Sequence, residues 1–426
     1  MLILIAAFGS HGDVLPLVAI GAELKRRGHR VIVGTMEPFG PIVERAGLEF
    51  EQIGTEAEYR EGLGHADLWR PIRGARRLFA FAELGIRPTL EFIERRRDRK
   101  TGTLVVASTL AIGARLAHDV FKVPIVTVHL SPMLLQSRYA PPKLPFVPEF
   151  KIPPWLEWEF QLGVDEWFID PHITPKLNAV RAEHGLPPVK RLRHWWNAPR
   201  RVLLMWPDWF APPQADWPKQ MVCVGFPRVD ALGGEGGPLD PALEAFLAAG
   251  DPPVAVTFGT AMRSGAALYR AAIRAALKAG RRCLVLSPVE VDVPSADRER
   301  VFRAGYTPFG QVLPRCAAFI HHGGIGTTSQ ALAAGVPQLV APLAFDQFDN
   351  AARVRKLGCG LVVERLALKT IYGAQKLRRL LGSRAIAEAC ARMALLGDGR
   401  AVARACDEIE TEYVRRGKRS GSHAVG

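Results

Sequence analysis

Two apolar patterns alternate along the chain, and their order points to its architecture. Short unbroken apolar runs, LILIAAF at 2–8, RVIVG at 30–34, LVVAS at 104–108 and PIVTVHL at 124–130, have the length of strands. Between them, residues 14–27 (VLPLVAIGAELKRR, ended by Gly28) and 110–120 place apolar side chains at helical spacing. Strands without polar alternation, separated by helices, predict a parallel sheet covered on both faces. That is a doubly wound α/β domain. A Gly/Pro-rich stretch, Val224–Leu239, interrupts the pattern. It then restarts with PVAVTF (253–258), RCLVL (282–286), VFRAG (301–305), AAFIH (317–321), PQLVAP (337–342) and GLVVE (360–364). The expectation is of class α/β: two doubly wound, Rossmann-like domains facing across a cleft. They span 1–224 and 251–400, joined by a linker at 225–250. A last helix over 401–426 packs back on the first domain and ends in a basic tail.

Two stretches break the repeat. Residues 54–100 are basic and aromatic (Trp69, Phe79, Phe81), and 131–175 are rich in Pro and Trp. Long insertions in a compact α/β domain are usually functional loops, although lids that only cover core fit the sequence equally well.

Composition narrows the picture. A chain of 426 residues, 48% hydrophobic and 23% charged, is globular and long enough for two cores. The net charge of +14 would suit a nucleic-acid or anionic-lipid partner. However, the basic residues are scattered, and the densest run, Glu94–Lys100, contains acids and closes a predicted helix, so no nucleic acid is expected. Six cysteines without any C-x-x-C suggest reduced thiols of a cytoplasmic protein, not a zinc or disulfide framework. The apolar opening lacks a charged leader and a cleavage site. No segment reaches the roughly 18 apolar residues of a membrane span, so any membrane contact is peripheral.

Chemistry concentrates in three turns. In FIHHGGIGTTSQALAAG (319–335) a strand ends at His321, and Gly323, Gly324 and Gly326 lead into a helix expected to start near Thr327 and Thr328. The free N–H groups and positive dipole end of such a helix make an anion site. An ordinary turn capped by Thr327 is the alternative, but paired imidazoles (His321, His322) are poor core material. No Gly-Lys-Ser/Thr follows, so this is not a Walker A loop. In PLAFDQFDN (342–350), Asp346 and Gln347 sit at the C-terminal end of a strand, where open α/β sheets bind ligands. A carboxylate beside an amide suits sugar hydroxyls; a helix cap is the other reading. Gly259 and Thr260 form a further turn. The first turn, FGSHGDVLP (8–16), carries His11 and Asp13, which can move protons, though Asp13 also stands where a helix cap belongs.

In this order the motifs resemble the GT-B nucleotide-sugar glycosyltransferases. This large inverting family includes plant UDP-glycosyltransferases, antibiotic and sterol glucosyltransferases and bacterial glycolipid rhamnosyltransferases. The resemblance spans the chain. FGSHGDVLP matches the entry motif, YTPFGQVL (306–313) the segment before the donor motif, and HHGGIGTTSQALAAGVP with DQFDN the donor signature. NAVR (178–181), WFAPPQ (209–214), DWP (216–218) and LGCG (357–360) are similar to the rhamnolipid rhamnosyltransferases.

The resemblance implies that His321 contacts the donor diphosphate, with Gly323, Gly324, Gly326, Thr327 and Thr328 at the helix start. His322 ranks below it. Gly259 and Thr260 flank the phosphates, Tyr306 takes the base-stacking position, and Asp346 and Gln347 hold sugar hydroxyls. Asp13 is the implied base, with His11 as a neighbour that shares its proton. The implied donor is dTDP-L-rhamnose, with UDP-glucose as the alternative. The implied acceptor is a hydroxyl of a lipophilic molecule such as a hydroxy-fatty-acid ester, a sterol or a flavonoid, in keeping with Trp69, Phe79, Phe81, Met133, Trp155 and Trp158 in the variable loops. No Asp-x-Asp occurs, so neither a metal nor another cofactor is expected. An NAD-linked oxidoreductase fits poorly, because Gly9-Ser-His-Gly12 is not G-x-G-x-x-G and only Glu37 could meet a ribose. A sugar-nucleotide epimerase and a non-catalytic nucleotide-sugar-binding subunit are the remaining rivals.

Overall fold

The structure is a computed structural model. It describes residues 1–100, 102–145, 147, 152–229, 232, 238–259, 265–287, 290–291, 293 and 295–421, so Thr260 lies outside the described residues. Seven strands form the first sheet: β1 (Leu2–Ala6), β2 (Arg30–Met36), β3 (Glu49–Gly54), β4 (Thr103–Ser108), β5 (Ile125–His129), β6 (Val202–Leu204) and β7 (Met221–Cys223). Six form the second: β8 (Val254–Thr257), β9 (Cys283–Leu286), β10 (Val301–Ala304), β11 (Ala318–His321), β12 (Gln338–Val340) and β13 (Gly360–Val362). The orders are β3-β2-β1-β4-β5-β6-β7 and β10-β9-β8-β11-β12-β13, and the pairings are parallel throughout.

All five residues of β1 are buried, as its unbroken apolar run requires. Each large apolar side chain withdrawn from water in this way contributes about 1.5–3 kcal/mol. The strand order reverses between β1 and β4 in one sheet and between β8 and β11 in the other. Ligands of open α/β sheets bind at such reversals, beyond the carboxyl ends of the strands. The Gly9 turn follows β1, Gly259 follows β8 and the paired histidines close β11.

The insertion at 54–100 folds as three helices, Glu56–Gly64, Pro71–Leu84 and Ile86–Arg96. Phe79 and Phe81 turn inward, and Phe81 packs on Phe8 at 4.8 Å between ring centroids. Those two aromatics are core rather than acceptor lining. Trp69 instead meets Phe345 of the second domain edge-on at 6.3 Å. Residues 131–175 end in a helix, Pro154–Val164, that continues through a π-turn, Asp165–Ile169, into Asp170–Glu183.

Within the stretch read as a linker, Pro241–Ala248 is a helix that buries Leu243 and Leu247 against the second sheet. The last helix, Ala401–Gly421, lies on the first domain. Arg27 donates to Asp407 and Glu410 at 2.7 Å each, and His29 meets Glu410 at 2.8 Å. Beneath them Cys406 and Ile409 are fully buried. No helix among the described residues is long and apolar enough to cross a membrane.

Candidate active site

The first turn is built around Asp13. Gly9 has φ +133°, and a methyl group there would come within 2.4 Å of an Asp13 carboxylate oxygen. Ser10 precedes the helix His11–Arg26, and its N–H and hydroxyl both donate to Asp13 Oδ2, at 2.8 and 2.9 Å. Asp13 is thus the third helical residue and not the cap. One carboxylate oxygen holds the turn, while Oδ1 makes no hydrogen bond among the described residues. Burial raises the Asp13 pKa, and the two Ser10 bonds pull it back in part. His11 opens the helix with its ring edge-on to Phe39 at 4.9 Å. Its Nδ1 is buried without a partner among the described residues, and burial lowers its pKa, which favours the neutral ring.

The facing turn follows β12. Phe345 takes φ +54°, a left-handed conformation uncommon for a bulky residue and characteristic of strained functional turns. Asp346 precedes the helix Gln347–Lys356, and its Oδ2 accepts from Asn350 Nδ2 at 2.8 Å. Burial pushes the Asp346 carboxyl up to about 6, and the charge of Asp13 from the other domain adds to that. The two carboxylates therefore oppose one another across the cleft. Gln347 Oε1 accepts from the Leu343 and Ala344 N–H groups at 2.8 and 3.1 Å, so half of this amide holds its own turn.

At the end of β11 the two imidazoles part ways. His321 is fully buried with both ring nitrogens engaged: Nδ1 accepts from the Gly323 N–H at 3.0 Å, and Nε2 donates to Gln338 Oε1 at 3.0 Å. Its pKa falls to about 3, chiefly through burial. His322 lies between Gly259 and Gly324, where added methyl groups would come within 3.0 and 2.5 Å of its ring. Its Nδ1 has no partner among the described residues, and burial lowers its pKa to about 4. Of the two rings, His321 is locked into the fold, and His322 is the one beside the glycine turn.

Gly323 (φ +89°) has no room for a side chain, since a methyl would approach Val340 to 2.8 Å. The helix starts at Ile325, with Gly324 at the N-cap, two residues before Thr327. Gly324 and Gly326 add no side chain over its first turn, leaving its N–H groups open to a ligand. Thr327 is partly exposed, and the Thr328 hydroxyl is buried without a partner. Tyr306 is exposed just beyond the edge strand β10. Asn350 was not singled out in the sequence, yet its Nδ2 also donates to the Gly323 carbonyl at 2.9 Å and so ties the two second-domain turns together. Its place in DQFDN, one helical turn after Asp346, was the available signal. Across the cleft, the Lys143 N–H donates to Asp349 Oδ1 at 2.9 Å, and Arg353 donates to the Phe210 carbonyl at 3.2 Å.

Residues 3–139 match the glycosyltransferase family 28 N-terminal domain, and residues 292–405 match the C-terminal domain of erythromycin biosynthesis protein CIII-like proteins. The chain is 32% identical over 382 residues to O-mycaminosyltylonolide 6-deoxyallosyltransferase of Streptomyces fradiae, covering 84% of each. It is 31% identical over 380 residues to glycosyltransferase GtfE of Amycolatopsis orientalis, covering 85% of each. Among solved structures, the glycosyltransferase of kitacinnamycin superposes with a TM-score of 0.74 at 20% identity, covering 96% of this chain and 98% of that one. Two parallel-sheet domains with facing turns at their strand reversals define a GT-B glycosyltransferase. The chain belongs to the family 28-like, erythromycin CIII-like glycosyltransferases, and it is a hexosyltransferase that draws on a nucleotide-sugar donor.

Proposed function

We propose that this enzyme transfers L-rhamnose from dTDP-L-rhamnose to a hydroxyl of a lipophilic small molecule, inverting the anomeric carbon and using no metal ion. The observation that carries the mechanism is the Asp13 carboxylate, with one oxygen fixed by Ser10 and the other making no hydrogen bond among the described residues, near enough to Asp346 of the second domain for its charge to raise that carboxyl. The acceptor hydroxyl gives its proton to Asp13 Oδ1, and its oxygen bonds to the anomeric carbon. As that bond forms, the bond from the same carbon to the diphosphate oxygen breaks on the opposite face. A carboxyl raised by burial is a better base than a free one. Negative charge gathers on the leaving diphosphate, where the N–H groups at Ile325–Thr327, ahead of the first helical bond from Thr328 to Gly324, stabilise it. An arriving anion also favours the charged form of His322, whose ring is neutral without it. Asp346 and the Nε2 half of the Gln347 amide accept and donate to sugar hydroxyls, with Tyr306 against the nucleobase.

The choice of thymidine nucleotide follows the resemblance to rhamnosyltransferases. Two fold neighbours are described with thymidine diphosphate: spinosyn rhamnosyltransferase SpnG (TM-score 0.65, 18% identity, covering 96% of each chain) and SsfS6 of Streptomyces sp. SF2575. The test is nucleotide release from dTDP-L-rhamnose and from UDP-glucose, each with and without 3-hydroxydecanoate or a flavonoid, in buffer and in EDTA. Release of dTDP only when acceptor is present, unchanged by EDTA, supports the reading. Faster turnover of UDP-glucose, or loss of activity in EDTA, overturns the donor or the metal-free mechanism respectively.

A further inference from the structure

The segment that leaves β5 is pinned to both domains. It starts at Ser131, whose buried hydroxyl lies close enough to Asp346 to act on its carboxylate. At Ser137 it is fixed to the first domain. The Ser137 hydroxyl and the Arg138 N–H donate to the two oxygens of Asp216, at 2.9 and 2.8 Å. Gln161 also grips the Ser137 backbone, accepting from its N–H at 3.2 Å and donating to its carbonyl at 2.8 Å. The chain then passes through Pro141 and Pro142, which have no N–H to give. Lys143 carries the next backbone donor, and this one crosses to the second domain: its N–H meets Asp349 Oδ1 at 2.9 Å.

Asp349 is the third residue of helix Gln347–Lys356, directly after the Asp346 turn. It is 3% exposed, and both of its oxygens are engaged. Oδ2 accepts from Arg353 Nε at 2.7 Å, and Arg353 Nη1 donates to the Phe210 carbonyl of the first domain at 3.2 Å. The same guanidinium lies 5.7 Å from the centre of the Phe210 ring. One ion pair thus joins the helix behind Asp346 to two separate segments of the first domain. Replacing a buried ion pair with apolar side chains is often neutral for stability. What this pair adds is placement across the cleft.

We propose that Asp349 is a positioning residue, which fastens the 131–143 segment to the second domain as a strap that holds the acceptor side of the cleft against the donor side. This rests on the reading of Asp346 as a sugar contact and of the first domain as the acceptor's. Such a strap keeps the acceptor in line and water out. With it loose, a water oxygen bonds to the anomeric carbon, the bond from that carbon to the diphosphate breaks, and the water proton passes to Asp13.

The experiment removes the crossing bond from each end in the full-length chain. Asp349→Ala deletes the acceptor and Lys143→Pro the N–H. Lys143→Ala, which lacks the same side chain but keeps the N–H, is the reference for the latter. Amide hydrogen exchange is followed over 131–143, and kinetics use dTDP-L-rhamnose with 3-hydroxydecanoate. Both variants exchange faster in that segment. They raise the acceptor KM about tenfold or more, the size expected of one charge-assisted hydrogen bond. Release of dTDP without acceptor increases relative to transfer, while kcat and dTDP affinity stay within about twofold. The double variant is no worse than either single, because both remove the same bond.

Additive losses in the double variant overturn the proposal. So does a lower Tm with acceptor KM and donor hydrolysis unmoved, which makes the pair a stability contact only. Loss of dTDP affinity in Asp349→Ala alone moves the effect to the donor site and overturns it as well. If wild type makes no product from these two compounds, the substrate reading fails by itself. The strap is then judged on exchange: faster exchange in both single variants supports it, and unchanged exchange refutes it.

Discussion

His321 and His322 are adjacent and chemically identical, yet the fold asks different things of them. Replacing His321 with Ala leaves the Gly323 N–H and Gln338 Oε1 buried without a partner, a loss of about 1–3 kcal/mol for each unsatisfied group. His321→Ala should therefore lower the Tm, whereas His322→Ala should leave it nearly unchanged and reduce kcat; parallel thermal unfolding and steady-state kinetics check this. The sequence showed the pair beside a glycine turn but not which ring the fold consumes, because that depends on Gln338 of the next strand. Asp13 was legible as a candidate, and the structure explains how one carboxylate can both brace a turn and keep an oxygen open. Asp13→Asn should cut kcat by about 10²–10⁴, the usual size of a general-base contribution, with dTDP affinity retained. The base acts ionised, so turnover rises with pH. A carboxyl raised by burial puts the acid limb above the ordinary carboxylate range. A kcat that stays flat as pH falls to the ordinary carboxylate range would count against Asp13.

At the scale of elements, legibility followed burial on two faces. β1, β2, β4, β5 and the core of the second sheet read as unbroken apolar runs and stand within a few residues of their expected positions. β3 was missed because it is an edge strand with the sequence EFEQIG, whose acids face Arg30, Arg95 and Arg96. β6 and β7, three residues each like β12 and β13, were also missed, although VLLMW (202–206) and MVCV (221–224) are unbroken apolar runs. The helix after β11 starts earlier than its hydroxyls suggested, since Gly324 serves as its N-cap. The first turn makes a prediction of its own. Gly9→Ala must place a methyl in an unfavourable φ and against the Asp13 carboxylate. It should cost about 1–3 kcal/mol of stability and lower kcat as well, because the displaced group is the proposed base. Loss of stability with full kcat would detach Gly9 from the positioning of Asp13.

Over the whole molecule, function depends on two domains that meet with like charges facing. The domains meet through contacts at the cleft edge, Trp69 on Phe345 and Lys143 on Asp349, and through the last helix returning to the first domain. Those terms answer to pH with opposite signs. Arg27 and His29 hold Glu410 below the usual glutamate range, against a cost of partial burial. Its contribution is therefore present above the unfolded value of 4.5 and fades as pH falls through the folded one. Asp346 has the reverse behaviour. Its folded pKa of about 6 lies above 3.8, so the folded state favours the neutral acid, and that advantage, complete below pH 3.8, is lost as pH rises through 6. Asp346→Asn keeps a neutral polar group at that place at every pH. It should consequently raise the Tm at pH 7.5, leave it unchanged near pH 3.5, and weaken donor binding because the proposed sugar contact is lost. A gain in stability paired with a loss of function is common where a site holds strained charge. A Tm at pH 7.5 equal to or below that of wild type would mean that the Asp346 charge does not oppose closure of the two domains.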